Sequence, residues 1–380
     1  MNSPVTTPPA TPPATPGADP GAAPAPRSPL LDAPGAVAAE GPDAGVAWHY
    51  GDPAGEQRAL VRGEAVVDAS HRGVLRLTGP DRLGWLHSIT TQALTGLPAG
   101  TSTETLVLSP TGRIEHDLHL LEDGEATWIT VEPGAVDALR AFLERMRFML
   151  RVEIADVSAE WAVLAEPSRS ASSTRGPVWV DPWPGAVPAN EGGSADTASY
   201  AAVSTLEHPG AERPWREVLV PRAELAAAVG GRRLAGTWAA EALRVEAWRP
   251  RPGLETDERS IPHELDWLRT AVHLHKGCYR GQETVAKVHN LGRPPRRLVM
   301  LHLDGSSHDL PGHGDDVVHE GRRVGHVTTA ARHHELGPVA LALVKRSLPV
   351  DAQLFAVAGS GTEGHEQRPL AAAQETIVAP

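Results

Sequence analysis

The pattern of apolar residues changes at Arg296, and this change limits the folds that the chain can adopt. Before Arg296, alternating segments typical of strands are mixed with segments of helical period. After it, only strand-like segments follow, at 297–303, 316–319, 323–329, 339–344 and 353–357. Short strands separated by turns are typical of a small antiparallel barrel or sandwich. We therefore predict an α+β chain that ends in an antiparallel β-barrel over residues 296–358.

The part before the barrel divides by composition into three segments. Residues 47–165 mix antiparallel strands with helices and predict an N-terminal α+β domain. Residues 166–215 are rich in serine, glycine and proline and predict a loop-rich insertion, which Trp179 and Trp183 suggest is fixed at one point. Residues 216–295 predict a second α+β lobe.

Helical period and end signals place the helices. They are predicted after Asp81 as N-cap, from Pro133 to Met146, from Pro221 to Leu225, and over 237–245 and 262–268. Residues 282–289 fit a strand almost equally well, because Thr284 and Val285 are β-branched. We predict a helix there, since Gly292 provides a C-terminal stop.

Both ends of the chain lack periodicity. Residues 1–46 consist mainly of proline, alanine, threonine and glycine, which bury too little apolar surface to offset the entropy of ordering. We predict a disordered arm there and a disordered tail over 359–380.

Composition excludes several classes of function. A net charge of −12 argues against direct nucleic-acid binding, although Arg293, Arg296 and Arg297 leave open a local basic patch on an RNA-binding scaffold. The single cysteine excludes an intrachain disulfide and a self-contained four-cysteine metal site. No apolar run approaches the ~20 residues that span a bilayer, and the N-terminus does not resemble a signal peptide. We expect a soluble, cytoplasmic protein, monomeric and without a membrane partner.

The segment around that cysteine, Cys278, has the composition of a reactive site. Lys276, which is one of only three lysines in the chain, and Arg280 would favour a thiolate. Gly277 and Gly281 flank the thiol with backbone that lets a ligand approach closely. A buried, inert cysteine in a glycine-rich turn is an equally good interpretation.

A second group of charged residues lies at the end of the 237–245 helix. Glu241, Arg244 and Glu246 could form ordinary ion pairs on a helix surface. Two carboxylates beside a guanidinium could also bind a pterin ring, whose edge presents both donors and acceptors. The histidines of the C-terminal strands are scattered over separate strands, and we predict no metal site from them.

The sequence Lys-Gly-Cys-Tyr-Arg-Gly-Gln-Glu at Lys276–Glu283, hereafter the signature segment, resembles the signature of the YgfZ family of folate-binding proteins. That family is related to the aminomethyltransferase (T-protein) of the glycine cleavage system and to a mitochondrial iron–sulfur assembly factor. Leu-Arg-Val-Glu at 243–246 and Pro-His-Glu at 262–264 match the same proteins in order and rough spacing.

The resemblance implies a ring of two α+β lobes and a C-terminal barrel, with tetrahydrofolate or a one-carbon derivative bound at the centre. It implies that Cys278 and Lys276 are the catalytic pair. The folate-binding residues that it implies are Arg244, Glu246, Gly277, Tyr279, Gly281, Gln282, Glu283 and Asp117.

A hairpin at 112–118 departs from the aminomethyltransferase pattern of Gly-Gly-x-x-Asp-Asp-Leu. Gly112, Asp117 and Leu118 are kept, but His116 replaces the first aspartate. The departure puts methylene transfer in doubt and favours a hairpin pair with one exposed side chain.

The resemblance therefore implies a folate-binding accessory protein for iron–sulfur cluster assembly or repair in client enzymes, including those that modify tRNA. Iron–sulfur client or assembly proteins would be its partners. The alternative is a folate-dependent aminomethyl- or methyltransferase of the T-protein type.

Overall fold

The computed structural model describes residues 26–168, 176–187, 191–306, 308–362 and 365–380. Its α-helices are α1 Pro53–Val61, α2 Arg82–Ile89, α3 Val136–Arg147, α4 Leu225–Val229, α5 Thr237–Glu246 and α6 Gln282–Leu291. Before the barrel, its strands are β1 Val37–Ala38, β2 Ala47–His49, β3 Ala65–Asp68, β4 Gly73–Thr78, β5 Thr101–Leu108, β6 Ile114–Glu122, β7 Ala126–Val131, β8 Glu153–Asp156, β9 Trp161–Pro167, β10 Val178–Val180, β11 Trp215–Pro221 and β12 Arg233–Ala235. The barrel strands are β13 Arg296–Leu303, β14 Asp316–His319, β15 Arg322–His333, β16 Gly337–Lys345, β17 Leu354–Ala358 and β18 Arg368–Thr376.

These strands form the predicted architecture of two α+β lobes and a barrel. The first sheet has the order β5-β6-β7-β4-β8, and the second has the order β10-β11-β9-β3-β12. The barrel closes in the order β13-β16-β15-β14-β17-β18. Separate apolar clusters fill the first lobe, the second lobe and the barrel, and a further cluster containing Trp248 and Trp267 packs between the barrel and the lobes.

The two lobes are interleaved along the chain, which the predicted boundaries do not capture. Strand β3 belongs to the second sheet, where Val66 pairs in parallel with Leu234 and Asp68 pairs antiparallel with Leu164. Ala65, Val66 and Val67 are all buried. A strand that is buried on both faces needs a central place in a sheet, and β3 finds it between β9 and β12.

The predicted disordered tail is wrong for the residues that the structure describes. The five predicted barrel strands are present, but β18 pairs with both β13 and β17 and closes the barrel. Ile377 and Val378 are completely buried in the core between the barrel and the lobes. The alanine-rich sequence of β18 has weak local strand character, and long-range pairing decides its structure.

The predicted disordered arm is also wrong for residues 26–46, while residues 1–25 lie outside the described residues. The Ser28 hydroxyl donates to the carboxylate of Asp68, and the 3₁₀ turn Pro29–Asp32 buries Leu30. A second 3₁₀ turn, Gly41–Asp43, brings Asp43 into contact with Arg251.

The predicted insertion contributes to the core. Strand β10 forms the edge of the second sheet, and both Trp179 and Trp183 are buried. The Trp179 indole donates to the carbonyl of Thr103 in the first lobe, at 2.7 Å. The Trp183 indole donates to the carbonyl of Ala247, at 3.1 Å. Residues 169–175 and 188–190 of this predicted segment lie outside the described residues.

The helix predictions have mixed outcomes. Helices α2, α3, α5 and α6 confirm four of them, whereas the segment predicted from Pro221 to Leu225 is mainly a 3₁₀ turn, Arg222–Glu224, and α4 begins only at Leu225. Residues 262–268 instead form two 3₁₀ turns, separated by Asp266 with a left-handed φ of 57°. Asp81 stands before α2, but its carboxylate accepts from the backbone and guanidinium of Arg151 and caps no helical N–H.

The proposed basic patch does not form. Arg296 pairs with Asp257 at 2.5 Å and with Glu264 at 2.8 Å, and Arg297 is buried. Of the three arginines only Arg293 is exposed. Separately, no helix among the described residues combines the length and the apolar character needed to cross a membrane.

Candidate functional site

A cavity lies between the two lobes, and we call it the central cavity. Its empty volume, including the part open to solvent, is about 730 Å³. The ionisable residues that line it are Asp43, Asp68, His71, Arg72, Asp117, His119, Glu132, Asp181, Arg213, Glu217, Glu241, Arg244, Arg249 and Arg251. Trp179 and Trp215 supply aromatic surface. Both signs of charge are therefore present on its walls.

Strands β6 and β11 place a histidine between two carboxylates. Asp117 and His119 are two residues apart on β6, so their side chains share one face of the strand. The Nδ1 atom of His119 lies 2.9 Å from Glu217 Oε1, and its Nε2 atom lies 3.6 Å from Asp117 Oδ2. The ring of Trp179 stacks on the imidazole with centroids 3.8 Å apart.

This arrangement favours a protonated imidazole. Burial alone would lower the pKa of His119, but the charge of Glu217 and hydrogen bonds to Asp117 and Glu217 raise it to about 9. Burial would raise the pKa of Glu217, but the charges of Arg72 and His119 hold it well below its usual value. The pair is therefore an imidazolium and a carboxylate at neutral pH.

Arg251 joins three further carboxylates of the cavity lining. Its guanidinium lies 2.7 Å from both Asp43 and Glu132, and 3.3 Å from Glu241. Arg72 pairs with Glu132 at 2.6 Å. This network fixes the N-terminal 3₁₀ turn, the first sheet and α5 around the same space.

Several buried groups on the wall have unused hydrogen-bonding capacity, and Asp117 and Arg249 are two of them. Asp117 is only 7% exposed and Arg249 only 4%. Within the described part of the chain, Asp117 Oδ1 and Arg249 Nη1 have no hydrogen-bond partner. Buried polar atoms are normally paired, so an unpaired acceptor and donor at a cavity wall indicate a place for a ligand.

Arg244 lines the central cavity, but its hydrogen bonds serve the fold. It bonds to Glu241, to Glu255 at 2.8 Å and to Thr329 at 2.9 Å. These contacts fasten α5 to the barrel strand β15. Glu246, predicted beside it, does not line the central cavity and lies 3.1 Å from His333 Nε2.

Lys276 also has a structural position. Its Nζ donates to the backbone carbonyls of His87, Thr90 and Gln92, which lie at and just beyond the end of α2. Burial lowers the pKa of Lys276 to about 8. Three carbonyls take up its three possible donations, so the expectation that Lys276 holds a Cys278 thiolate is not supported.

The rest of the signature segment lies outside the central cavity as well. Cys278 is exposed, which removes the alternative of a buried, inert cysteine. Gly277 and Glu283 are exposed, and Gln282 is half-buried. Tyr279 is buried, and the Lys276 ammonium lies 5.1 Å from the centre of the Tyr279 ring. The structure therefore brings Asp117 and Arg244 together and separates them from the other predicted folate-binding residues.

The signature segment packs against the hairpin that carries Asp117. Gly281 and Gly112 have positive φ values of 85° and 76°. A Cβ atom on Gly281 would lie 2.6 Å from the carbonyl oxygen of Ser109, and one on Gly112 would lie 2.6 Å from the Cβ of Thr284. Arg280 pairs with Glu115 of the same hairpin at 2.7 Å. The signature segment therefore supports the hairpin between β5 and β6.

His116 lies on the other face of β6 from Asp117. It is half-buried, and burial lowers its pKa. Asp117 is buried at the wall of the central cavity, so of the predicted hairpin pair with one exposed side chain only His116 reaches solvent, and only in part.

Glu104, Asp117 and His119 could be considered as a metal site, because their ligand atoms lie within 4.8 Å of one another. Both oxygens of Glu104 already accept hydrogen bonds, from Trp267 and Thr270. The Arg249 guanidinium, a fixed positive charge, lies 2.7 Å from the same carboxylate. These contacts favour Arg249, rather than a metal, as the cation at this position.

The sequence did not indicate the residues that surround Asp117 and His119 in the structure. His119 could have been found from Asp117, since a residue two positions along a strand faces the same way. Glu217, Trp179 and Arg249 come from three other segments, and nothing local in their sequences marks them.

Two parts of the fold match domains of the glycine cleavage T-protein. Residues 31–165 match the GCVT N-terminal domain, and residues 296–364 match the glycine cleavage T-protein C-terminal barrel domain. The aminomethyltransferase T of the glycine cleavage system from Bartonella henselae superposes with a TM-score of 0.69 at 19% identity, covering 92% of this chain and 95% of that one.

Sequence relatives agree with this class. A putative chloroplastic transferase of Arabidopsis thaliana is 27% identical over 71% of this chain, and the match spans 62% of that relative. The aminomethyltransferase of Moorella thermoacetica is 27% identical over 76% of this chain and 81% of its own length. The chain therefore carries both domains of the glycine cleavage T-protein and belongs to that superfamily.

Proposed function

We propose that the chain binds a reduced folate in the central cavity and acts as a one-carbon transferase of the aminomethyltransferase type. The observation that carries the proposal is the buried, unpartnered Oδ1 of Asp117 beside the His119–Glu217 pair. The sequence similarity to aminomethyltransferases supports one-carbon transfer as the proposed reaction class.

The residues of the central cavity fit a folate. A pterin edge presents both donors and acceptors, and the wall offers the free acceptor of Asp117 and the free donor of Arg249. Trp179 and Trp215 add flat apolar surface.

In this proposal the residues of the cavity wall have separate roles. A bound folate would supply the carrier nitrogen for the one-carbon unit. Asp117 Oδ1 accepts a hydrogen bond from the ligand, because Oδ2 already faces His119. His119 holds a proton between Asp117 and Glu217, and the guanidiniums of Arg249 and Arg72 balance the carboxylates around it.

Calorimetric titration with tetrahydrofolate tests the site. We expect saturable binding by the wild type, and a loss of about tenfold to a hundredfold in affinity for Asp117→Asn, since the amide is a weaker acceptor than the carboxylate. Glu246→Gln is the matched control: the sequence places Glu246 in the pocket, but it lies outside the central cavity, and this variant should bind like the wild type.

Three results would contradict the binding proposal. A folded wild type that does not bind removes folate from the function. Equal affinity for wild type and Asp117→Asn moves the ligand away from Asp117. Loss of binding in Glu246→Gln alone would show that the ligand binds near Glu246, as the sequence predicts.

The reaction class needs its own assay. Incubation with tetrahydrofolate and an aminomethylated carrier protein should release ammonia and form methylenetetrahydrofolate, and Asp117→Asn should lose this activity. Folate binding without turnover on this substrate would keep the site but reject the aminomethyl reaction.

A second candidate is the accessory role in iron–sulfur cluster assembly or repair that the YgfZ resemblance implies. The exposure of Cys278, outside the central cavity, favours it, because a surface thiol is open to a client protein. Thiolates are the usual ligands of such clusters. Cys278→Ala should fold and bind folate like the wild type but fail to restore client enzymes in cells that lack the protein. Full restoration by that variant would reject the role.

A further inference from the structure

The turn after α3 holds a phenylalanine in a conformation that suits glycine. Phe148 has φ 49° and ψ −120°, close to the first central position of a type II′ turn. The amide of Leu150 donates to the carbonyl of Arg147 at 3.1 Å, which closes the turn. Side chains other than glycine are strained at this position, so the backbone itself does not favour Phe148.

Packing does not favour Phe148 either. Its side chain is 87% exposed, and Met149 beside it is 84% exposed. Met146 and Leu150 are exposed as well. We call these four residues the apolar tip. Single exposed apolar residues are common, but a contiguous group marks an interaction site.

The base of the apolar tip is held firmly. The Trp85 indole donates to the carbonyl of Met146 at 3.1 Å, and the guanidinium of Arg147 donates to the carbonyl of Val152 at 3.1 Å. Asp81 accepts from the backbone and side chain of Arg151. A rigid tip loses little conformational entropy when it binds.

Two guanidiniums next to the apolar tip form no ion pair among the described residues, although the whole chain carries −12. They belong to Arg145 and Arg147, which precede Phe148, and the exposed carboxylates nearest to them along the chain are those of Glu144 and Glu153. The other nearby guanidiniums are neutralised, Arg140 by Asp137 and Arg151 by Asp81. A partner that covers this surface would therefore carry acidic groups.

We propose that the apolar tip is a docking element for an acidic partner protein, whose apolar pocket takes Phe148 and whose carboxylates face Arg145 and Arg147. The outward face of α3 is charged, with Asp137 and Glu144, and does not continue the apolar surface. The apolar tip is therefore better suited to insertion into a protein pocket than to binding the broad surface of a bilayer.

Photo-crosslinking with p-benzoylphenylalanine at position 148, in cells of the source organism, is the first step of the test. The same probe at Leu206, which is 96% exposed elsewhere, is the control. A protein crosslinked only from position 148 is then purified, and its affinity is measured for the wild type, Phe148→Gly, Arg145→Glu/Arg147→Glu and Leu206→Ser.

The expected result combines affinity and stability. Phe148→Gly and the double arginine variant weaken binding by about tenfold or more, and added salt weakens binding by the wild type. Leu206→Ser binds normally. Phe148→Gly melts at a higher temperature than the wild type, because glycine relieves the turn.

Several results would overturn the proposal. The first two are the absence of a crosslink specific to position 148 and a crosslink to a second copy of the chain. The third is an affinity of Phe148→Gly for the partner equal to that of the wild type. The fourth is co-sedimentation of the wild type, but not Phe148→Gly, with 70:30 phosphatidylcholine:phosphatidylserine vesicles. A lower melting temperature for Phe148→Gly would show that Phe148 serves the fold.

Discussion

At the scale of single residues, the charge of His119 depends on its two carboxylate neighbours. Its pKa of about 9 exceeds the value of about 6.5 expected for the unfolded chain. The proton on His119 therefore stabilises the folded state in full below about pH 6.5, and this contribution is lost as the pH rises through about 9. The central cavity thus changes its charge within an accessible range of pH.

We expect the free energy of unfolding of the wild type to fall between pH 6.5 and 9.5 by on the order of 2–3 kcal/mol more than that of His119→Gln. Urea titrations across this range measure the difference. His302→Gln is the control, because the pair of His302 with Glu375 is exposed and contributes little. Parallel curves for wild type and His119→Gln would contradict the raised pKa.

The residue scale also shows why part of the site escapes prediction. The resemblance implied that Asp117 and Arg244 share one pocket, and both line the central cavity. The sequence indicated the pair with Glu241 in the same helix, but it could not indicate the bonds of Arg244 to Glu255 and Thr329, because these depend on how the later chain packs against α5. A motif identifies a residue, but the neighbours in space decide what its atoms are free to do.

At the scale of elements, the contact between the signature segment and the β5–β6 hairpin leaves no room for a side chain. Gly281 combines a positive φ with a close approach to the backbone of Ser109. This contact positions the hairpin that carries Asp117. A change at Gly281 should therefore affect both stability and the distant cavity.

We expect Gly281→Ala to lower the free energy of unfolding by ~3 kcal/mol or more, since strain and a backbone clash add, and to weaken tetrahydrofolate binding. Gly314→Ala is the matched control: Gly314 has φ 84° but nothing within 4 Å of an added Cβ, so it isolates the cost of the backbone conformation alone. Urea unfolding and calorimetry measure the two effects. Equal losses in both variants would contradict the close contact.

Strong local patterns made some elements predictable. The barrel strands β13–β17 alternate clearly, and α5 and α6 have end signals, so each was placed within a few residues. Strand β18 contains Ala371, Ala372 and Ala373 and has weak strand propensity. Its place depends on open edges of β13 and β17, which a local pattern cannot reveal.

At the scale of the whole molecule, the last residues of the described chain hold the barrel to the lobes. Ile377 lies in the same cluster as Trp248 and Leu298, and its carbonyl accepts from the amide of Ala202. The segment predicted as a loose tail is therefore part of the central core.

We expect Ile377→Ala to destabilise the protein by ~2–4 kcal/mol, because it removes buried methylene groups and leaves a cavity. Val350→Ala, at a half-exposed position in the barrel, should change the free energy of unfolding by less than about 0.5 kcal/mol. Chemical denaturation compares the two. A negligible effect of Ile377→Ala would restore the prediction of a frayed tail.

The interleaving of the lobes has a consequence for how the molecule forms and varies. Strand β3 cannot complete its sheet until β12, about 170 residues later, has emerged from the ribosome, so the second sheet is completed only after the strands of the first sheet have been made. A recombination breakpoint between the predicted lobes would divide the second sheet. Exchange of whole lobes between relatives is therefore obstructed, and new specificity in such a chain would arise through substitutions on the cavity wall.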